Sequence, residues 1–269
     1  MGFLRTIRDI SRAPVERSLK AKIRQTYLGT IALKRYDQRK MTANIAGCRM
    51  KFCTFAGLSL LFKSIFVGQE YFFKASHERP FIVDCGSNIG MSVLYFKLTH
   101  PPAEIIAFEP DPQAYACLEE NVRENQLSGV RTLPNAVTDK AGPLSFFYDH
   151  ENPGSLHMST VPERMSKAQR TVEGVTLSTF LDREVDFLKM DIEGAESSVL
   201  HEIAAANKLR LVREMVIEYH HHIASQTDDL AQLLKLLEEQ GFGYQLAAHA
   251  NRPWERGAFQ DVLIYGYRK

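Results

Sequence analysis

Cysteine is scarce: four residues in 269 (Cys48, Cys53, Cys85 and Cys117) are too few for a disulfide framework and match no zinc spacing. They are expected as free, mostly buried thiols of a protein in the reducing cytoplasm. No apolar run approaches the ~18–20 residues that cross a bilayer, so no membrane-spanning helix is expected. The amino terminus alternates apolar residues with arginines and lacks the continuous apolar core of a secretory signal. Repeats and low-complexity tracts are absent. Net charge is scarce too: the formal total is +1, so a bulk polyanion such as nucleic acid is not implied as a partner. What is present is an apolar fraction of 45%, sufficient for a sizeable core.

The charge is uneven. Residues 1–40 hold 11 Lys and Arg against 3 Asp and Glu, net +8, which leaves 22 basic and 29 acidic residues, net −7, in 41–269. The basic stretch reads as helical and amphipathic, with Phe3, Leu4, Ile7 and Ile10 on one face. It is expected to pack on the main domain; contact with a membrane surface or an anionic acceptor is the sharper alternative. Residues 1–45 are therefore read as a basic helical extension and residues 46–269 as the domain proper. Residues 41–80 are expected as short strands and turns.

From residue 81 apolar strands alternate with helical patterns. "FIVDCG", "EIIAFEP", "VRTLPNAV", "VDFLKMD" and "LVREMVIEY" read as strands, "MSVLYFKLTH" and "DDLAQLLKLLEEQGF" as helices. Asp111 reads as an N-cap with Pro112 in the first turn. "GYQLAAHA" and "FQDVLIYGYRK" would close the chain as an antiparallel hairpin at one sheet edge. The stretch 149–169 is expected as a long polar loop over a substrate, with His150, Asn152, Ser155 and His157 as candidate contacts. The pattern predicts an α/β fold with a parallel sheet covered on both faces.

In such sheets ligands bind beyond the carboxyl ends of the strands. Those ends offer Asp84, Gly86 and Gly90; Glu109; Asn135 and Ala136; Asp191 and Glu193; Glu218 and the triplet His220, His221 and His222. The spacing Gly86-x-x-x-Gly90 departs from the G-x-G-x-x-G that cradles a pyrophosphate, and Asp84 beside it would repel one. Asp84 would instead attract an ammonium group, the amides of Gly86, Ser87, Asn88, Ile89 and Gly90 could hold a carboxylate, and Glu109 could accept from ribose hydroxyls. S-adenosylmethionine carries all three groups. A nicotinamide-dependent oxidoreductase and a non-catalytic nucleoside-binding module are the competing readings.

Taken together, "VDCGSNIG", "FEPDP", "LPNAV", "DFLKMDIEGAE" and "IEYH" resemble the FkbM family of S-adenosylmethionine-dependent methyltransferases over roughly residues 80–219. The resemblance implies a class I methyltransferase (Rossmann-like) sheet, seven-stranded and mostly parallel with an antiparallel last strand, and usually O-methyl transfer. It implies that Asp84 to Gly90 form the methionine-side loop, that Glu109 binds the ribose, that Asn135 and Ala136 flank the adenine, and that Asp191 sits near the reacting methyl. The product would be S-adenosylhomocysteine and the acceptor a hydroxyl of a sugar or natural-product intermediate. A hydroxyl needs a destination for its proton. His220 is the expected general base, with His221 and His222 as alternates. A Mg²⁺ site on Asp191, Glu218 and a histidine is the rival device; with no D-x-D cluster in the sequence, no metal is expected. Glu193 and Glu196 read as charges at the first turn of the following helix.

Overall fold

The structure, a computed structural model, describes residues 3–33, 41–148, 168–223, 228–248, 254 and 256–269. Helices α1 (Phe3–Arg12) and α2 (Arg17–Leu33) come first, separated around Pro14, which has no amide hydrogen to continue a helix. The expected apolar face of α1 is only half used. Ile10 is buried, whereas Phe3 and Leu4 are exposed. Ile10, Leu19 and Ile23 belong to one continuous core with Phe62 and Phe66. Strands β1 (Thr42–Ile45) and β2 (Cys48–Lys51) pair as a hairpin. Its turn residues Ala46 and Gly47 both have positive φ (52° and 94°), the geometry whose twist matches the flanking strands.

Residues 55–67, expected as strands and turns, are helical instead: α3 (Phe55–Leu61) runs straight into a π-helical segment, Phe62–Val67. Thr54 starts it by accepting the Gly57 amide at 3.1 Å, the usual N-cap bond.

The main sheet then begins with β3 (Phe81–Cys85), followed by α4 (Met91–Thr99), β4 (Glu104–Phe108), α5 (Pro112–Glu124) and β5 (Val130–Leu133). Next come three strands of a separate small sheet: β6 (Asn135–Thr138), β7 (Gly142–Tyr148) and β8 (Ala168–Thr176). The chain finishes with β9 (Val185–Met190), α6 (Glu196–Ala205), β10 (Val212–His221), α7 (Leu230–Glu239), β11 (Phe242–Ala248) and β12 (Gln260–Arg268). The seven-stranded order is β11-β12-β10-β9-β3-β4-β5, with β12 antiparallel to both its neighbours and the pairs from β10 to β5 parallel. This is the mostly parallel sheet with an antiparallel last strand that the resemblance implies.

Period-two alternation explains why helices cover both faces. On β3, Ile82 joins the core under α4 and α5, while Phe81 and Val83 join the core under α6 and α7; on β9, Phe187 and Leu188 divide in the same way. These strands are therefore largely apolar, as buried parallel strands are, with Asp84, Asp186 and Lys189 as buried exceptions.

Two differences from the sequence reading concern residues 130–176. "VRTLPNAV" is two strands rather than one: β5 forms the sheet edge, and after Pro134 the chain crosses to β6. Much of β8 was not anticipated. The rest of the expected polar loop, with His150, Asn152, Ser155 and His157, lies outside the described residues. Among the described residues no helix is long and apolar enough to cross a membrane.

From β3 the chain proceeds to β4 and β5 on one side and later fills β9 and β10 on the other. The order reverses between β3 and β9, so a crevice opens beyond their carboxyl ends.

Candidate active site

A cleft occupies that crevice, beyond the strand ends where such sheets bind ligands. Gly86 to Asn88 follow β3, Phe108 to Pro110 follow β4, and Lys189 to Glu193 end β9. The small sheet adds Asn135, Ala136, Val137 and Phe146, and the segment before β3 adds Leu61, Ile65 and Tyr71.

The glycine loop is a tight junction. Gly86 has φ +86°, and a Cβ there would overlap the carbonyl oxygen of Asp191. Gly90 has φ +81°, and a Cβ would come within 2.7 Å of Leu118 Cδ1 on α5. Both positions demand glycine for conformation and for closeness. The expectation that the amides of residues 86–90 hold a carboxylate is corrected. Gly86 N and Ser87 N donate to Phe108 O (3.0 and 2.9 Å), and Gly90 N donates to Ser87 O (2.8 Å). Asn88 N donates to Glu109 Oε2 (2.8 Å) and Ile89 N to Asn88 Oδ1 (2.9 Å). With all five donors engaged, the loop shapes the cleft and fixes Glu109, and Ile89 is core.

Asp84 is likewise placed differently from expectation. It is fully buried, off the cleft wall, with Oδ2 accepting from Ser92 Oγ (2.5 Å) and Oδ1 facing Lys189 Nζ at 3.6 Å. Its charge partner is thus a lysine of the protein. Lys189 also lies 3.6 Å from Asp191 Oδ2 and donates to the carbonyls of Cys85 (3.2 Å) and Gly86 (2.6 Å). Burial opposes its charge, but Asp191 and Asp84 outweigh burial and hold the ammonium above its ordinary range. The sequence carries the signal, a lysine inside the largely apolar strand VDFLKM.

Glu109 is at the mouth of β4, lining the cleft and largely buried. Oε2 accepts from Asn88 N and Oε1 from Asp111 N, each at 2.8 Å. Burial pushes its carboxyl up to about 8 against the pull of these two amides. Once ionised, each oxygen keeps a second lone pair, so a diol in the cleft finds two acceptors fixed in place. Asn135 and Ala136 stand on the wall formed by the small sheet.

At the other end lies a cage of acids around His220. The ring is buried; Nδ1 is 3.0 Å from Glu196 Oε1, and Nε2 is 3.3 Å from Glu193 Oε2 and 3.9 Å from both Asp191 Oδ1 and Asp261 Oδ1. Burial opposes the imidazolium, yet Glu196 and Glu193 carry His220 up to about 10. Burial, then Asp191, pushes Glu218 up to about 9. Asp191 and Glu193 line the cleft, while His220 stands behind them. His220 as the base that touches an acceptor is therefore corrected to a buried group that positions two carboxylates. His221 and His222 turn to Asp228 (3.2 and 2.6 Å) instead. Glu196 does more than charge a helix start: it accepts the Gly194 and Ile192 amides besides meeting His220. Asp261 was missed, because it reaches the site only through the antiparallel pairing of β12 with β10, opposite His220.

The two ends suit a nucleoside bearing an amino acid: hydroxyl acceptors at Glu109, and a surplus of acids at Asp191 and Glu193 for a cationic group. The family described as Methyltransferase FkbM domain matches residues 84–244. "Methyltransferase sdnD" of Sordaria araneosa is 32% identical over 214 residues, 68% of this chain and 81% of that protein. "31-O-demethyl-FK506 methyltransferase FkbM" of Streptomyces tacrolimicus is 27% identical over 215 residues, 68% of this chain and 80% of that protein. "2-O-methyltransferase NoeI" of Sinorhizobium fredii is 28% identical over 138 residues, 45% of this chain and 56% of that protein.

Proposed function

The chain belongs to the FkbM methyltransferase family and is an S-adenosylmethionine-dependent methyltransferase; on that premise we propose that it methylates oxygen, at a hydroxyl of a small molecule such as a sugar or a natural-product intermediate. Two relatives whose names specify O-methyl positions support this. The observation that carries it is the cleft's polarity, with fixed acceptors at Glu109 and paired carboxylates, Asp191 and Glu193, at the other end.

When bound, S-adenosylmethionine supplies a methyl group on a sulfonium, and transfer to a hydroxyl breaks a C–S bond, forms a C–O bond and releases a proton with S-adenosylhomocysteine. In this reading Glu109 receives the ribose hydroxyls, and Asn135 with Ala136 flanks the adenine. Gly86 and Gly90 bring the loop close enough to shape the floor. Asp84 acts indirectly, by fixing Lys189 and through it Asp191. Asp191 and Glu193 face the cationic end and lie where a departing proton can be taken up, and His220 with Glu218 keeps them in place. A cytoplasmic site of action fits the four free thiols.

The test is an assay with isotopically labelled methyl donor against a panel of hydroxylated metabolites, with mass analysis of products. The expected result is one labelled O-methyl ether and stoichiometric S-adenosylhomocysteine. Label on nitrogen or carbon would reject the oxygen assignment. S-adenosylhomocysteine binding with no transfer to any acceptor would favour a non-catalytic nucleoside-binding module.

A further inference from the structure

His220 does not sit in a simple ion pair. Its Nε2 is approached by carboxylates that arrive on different elements, Asp191 and Glu193 from the loop after β9 and Asp261 from β12; Glu218, two residues earlier on β10, groups with His220 and Asp261. Ligating atoms of Asp191, Glu193 and His220 all lie within 4.8 Å of one another, and so do those of Glu218, His220 and Asp261. Around an ion with bonds of roughly 2.1 Å, octahedral neighbours stand roughly 3.0 Å apart when cis and roughly 4.2 Å apart when trans. The separations from Nε2, 3.3 and 3.9 Å, fall in that interval.

Two further observations point to a ligand between them. Asp261 Oδ1 is sealed from water and has no hydrogen-bond partner, although it faces Nε2 at 3.9 Å. A buried carboxylate oxygen left so is costly unless something fills the gap. On the far side of the ring, Nδ1 meets Glu196 Oε1 at 3.0 Å, and Glu196 is itself buried and anchored by the Gly194 amide. A carboxylate behind one ring nitrogen is the arrangement that fixes a metal-binding imidazole, with the other nitrogen turned to the ion.

We propose that His220, Asp261 and Glu218 form a divalent cation site just behind the cleft, with Asp191 and Glu193 beside the same ring nitrogen. This deepens the methyl-transfer reading and rests on it for its purpose. Carboxylates favour Mg²⁺, Ca²⁺ and Mn²⁺, whereas an imidazole favours later transition metals, and Mn²⁺ satisfies both kinds of donor. Asp191 and Glu193, which face the cleft, meet the same ring nitrogen, so an ion there steadies the two carboxylates that receive the acceptor's proton. It also balances acids that the protein's own cations leave in surplus.

The test is a titration of the full-length, ligand-free protein with Mn²⁺, with free ion followed by electron paramagnetic resonance. One Mn²⁺ per chain is expected. His220→Gln should abolish binding, Asp261→Asn, at a partly exposed strand position, should weaken it at least about tenfold, and Glu196→Gln should weaken it about 10–100-fold. Circular dichroism and S-adenosylhomocysteine titration on the same samples establish that each variant folds. No bound Mn²⁺ at millimolar ion, or equal affinity in wild type and Asp261→Asn, overturns the site. S-adenosylhomocysteine bound without Mn²⁺ removes the metal and keeps the methyl-transfer reading; Mn²⁺ bound by a chain that never binds S-adenosylhomocysteine keeps the site and removes that reading.

Discussion

A lysine enclosed in a parallel strand needs partners, and Lys189 has Asp84 and Asp191 at 3.6 Å. Removing it leaves Asp84 buried without a counter-charge. Lys189→Met is expected to destabilise the fold by about 3–5 kcal/mol, read by urea unfolding, and the double variant with Asp84→Asn to recover part of that loss. Glu109 gives a pH signature. Its native carboxyl keeps its proton up to about 8, whereas the unfolded chain releases it near 4.5. Between those values the native state holds the extra proton, so its contribution makes stability fall as pH rises. Glu109→Gln should make the slope of unfolding free energy against pH shallower between about 5 and 8. An unchanged slope would show that the carboxyl titrates normally.

Elements with a strong local signal were legible. Asp111 caps α5 by accepting the amides of Gln113 and Ala114 at 3.2 and 2.9 Å, with Pro112 in the first turn. Asp111→Ala should therefore lower stability by about 1–2 kcal/mol in denaturant melts; a loss below about 0.3 kcal/mol would mean the cap is idle. α7 and the strands of the main sheet were legible for a similar reason, since apolar periodicity and burial agree there. Less legible was the stretch from β5 to β8. Pro134 divides two short strands that belong to different sheets, a tertiary choice that no local pattern records. The π-helical segment before β3 was also missed, because its apolar run reads equally as strand or helix.

For the whole molecule, residue order gave the strand tips but not their mutual facing. Asp191, Glu218 and His220 were legible as neighbours because successive parallel strands end on one side. Asp261 and Glu196 were not, since β12 reaches the site from the chain end and Glu196 through a side chain that turns back on its own helix start. The same holds for residues 1–40. Ile10, Leu19 and Ile23 are buried in the core that also holds Phe62 and Phe66, and each such burial contributes about 1.5–3 kcal/mol. Deleting residues 1–40 should therefore lower the melting temperature sharply in calorimetry; an unchanged transition would mark the segment as a separable extension.

The central claim is that the cleft at the β3–β9 junction holds the nucleoside through Glu109. Isothermal titration of S-adenosylhomocysteine into wild type and Glu109→Ala tests it most directly. Measured above about pH 8, where Glu109 is ionised, two hydrogen bonds to a charged acceptor make the expected loss at least about 100-fold in affinity, at one site per chain in the wild type. Equal affinity in the two proteins, or no binding to the wild type, would contradict it.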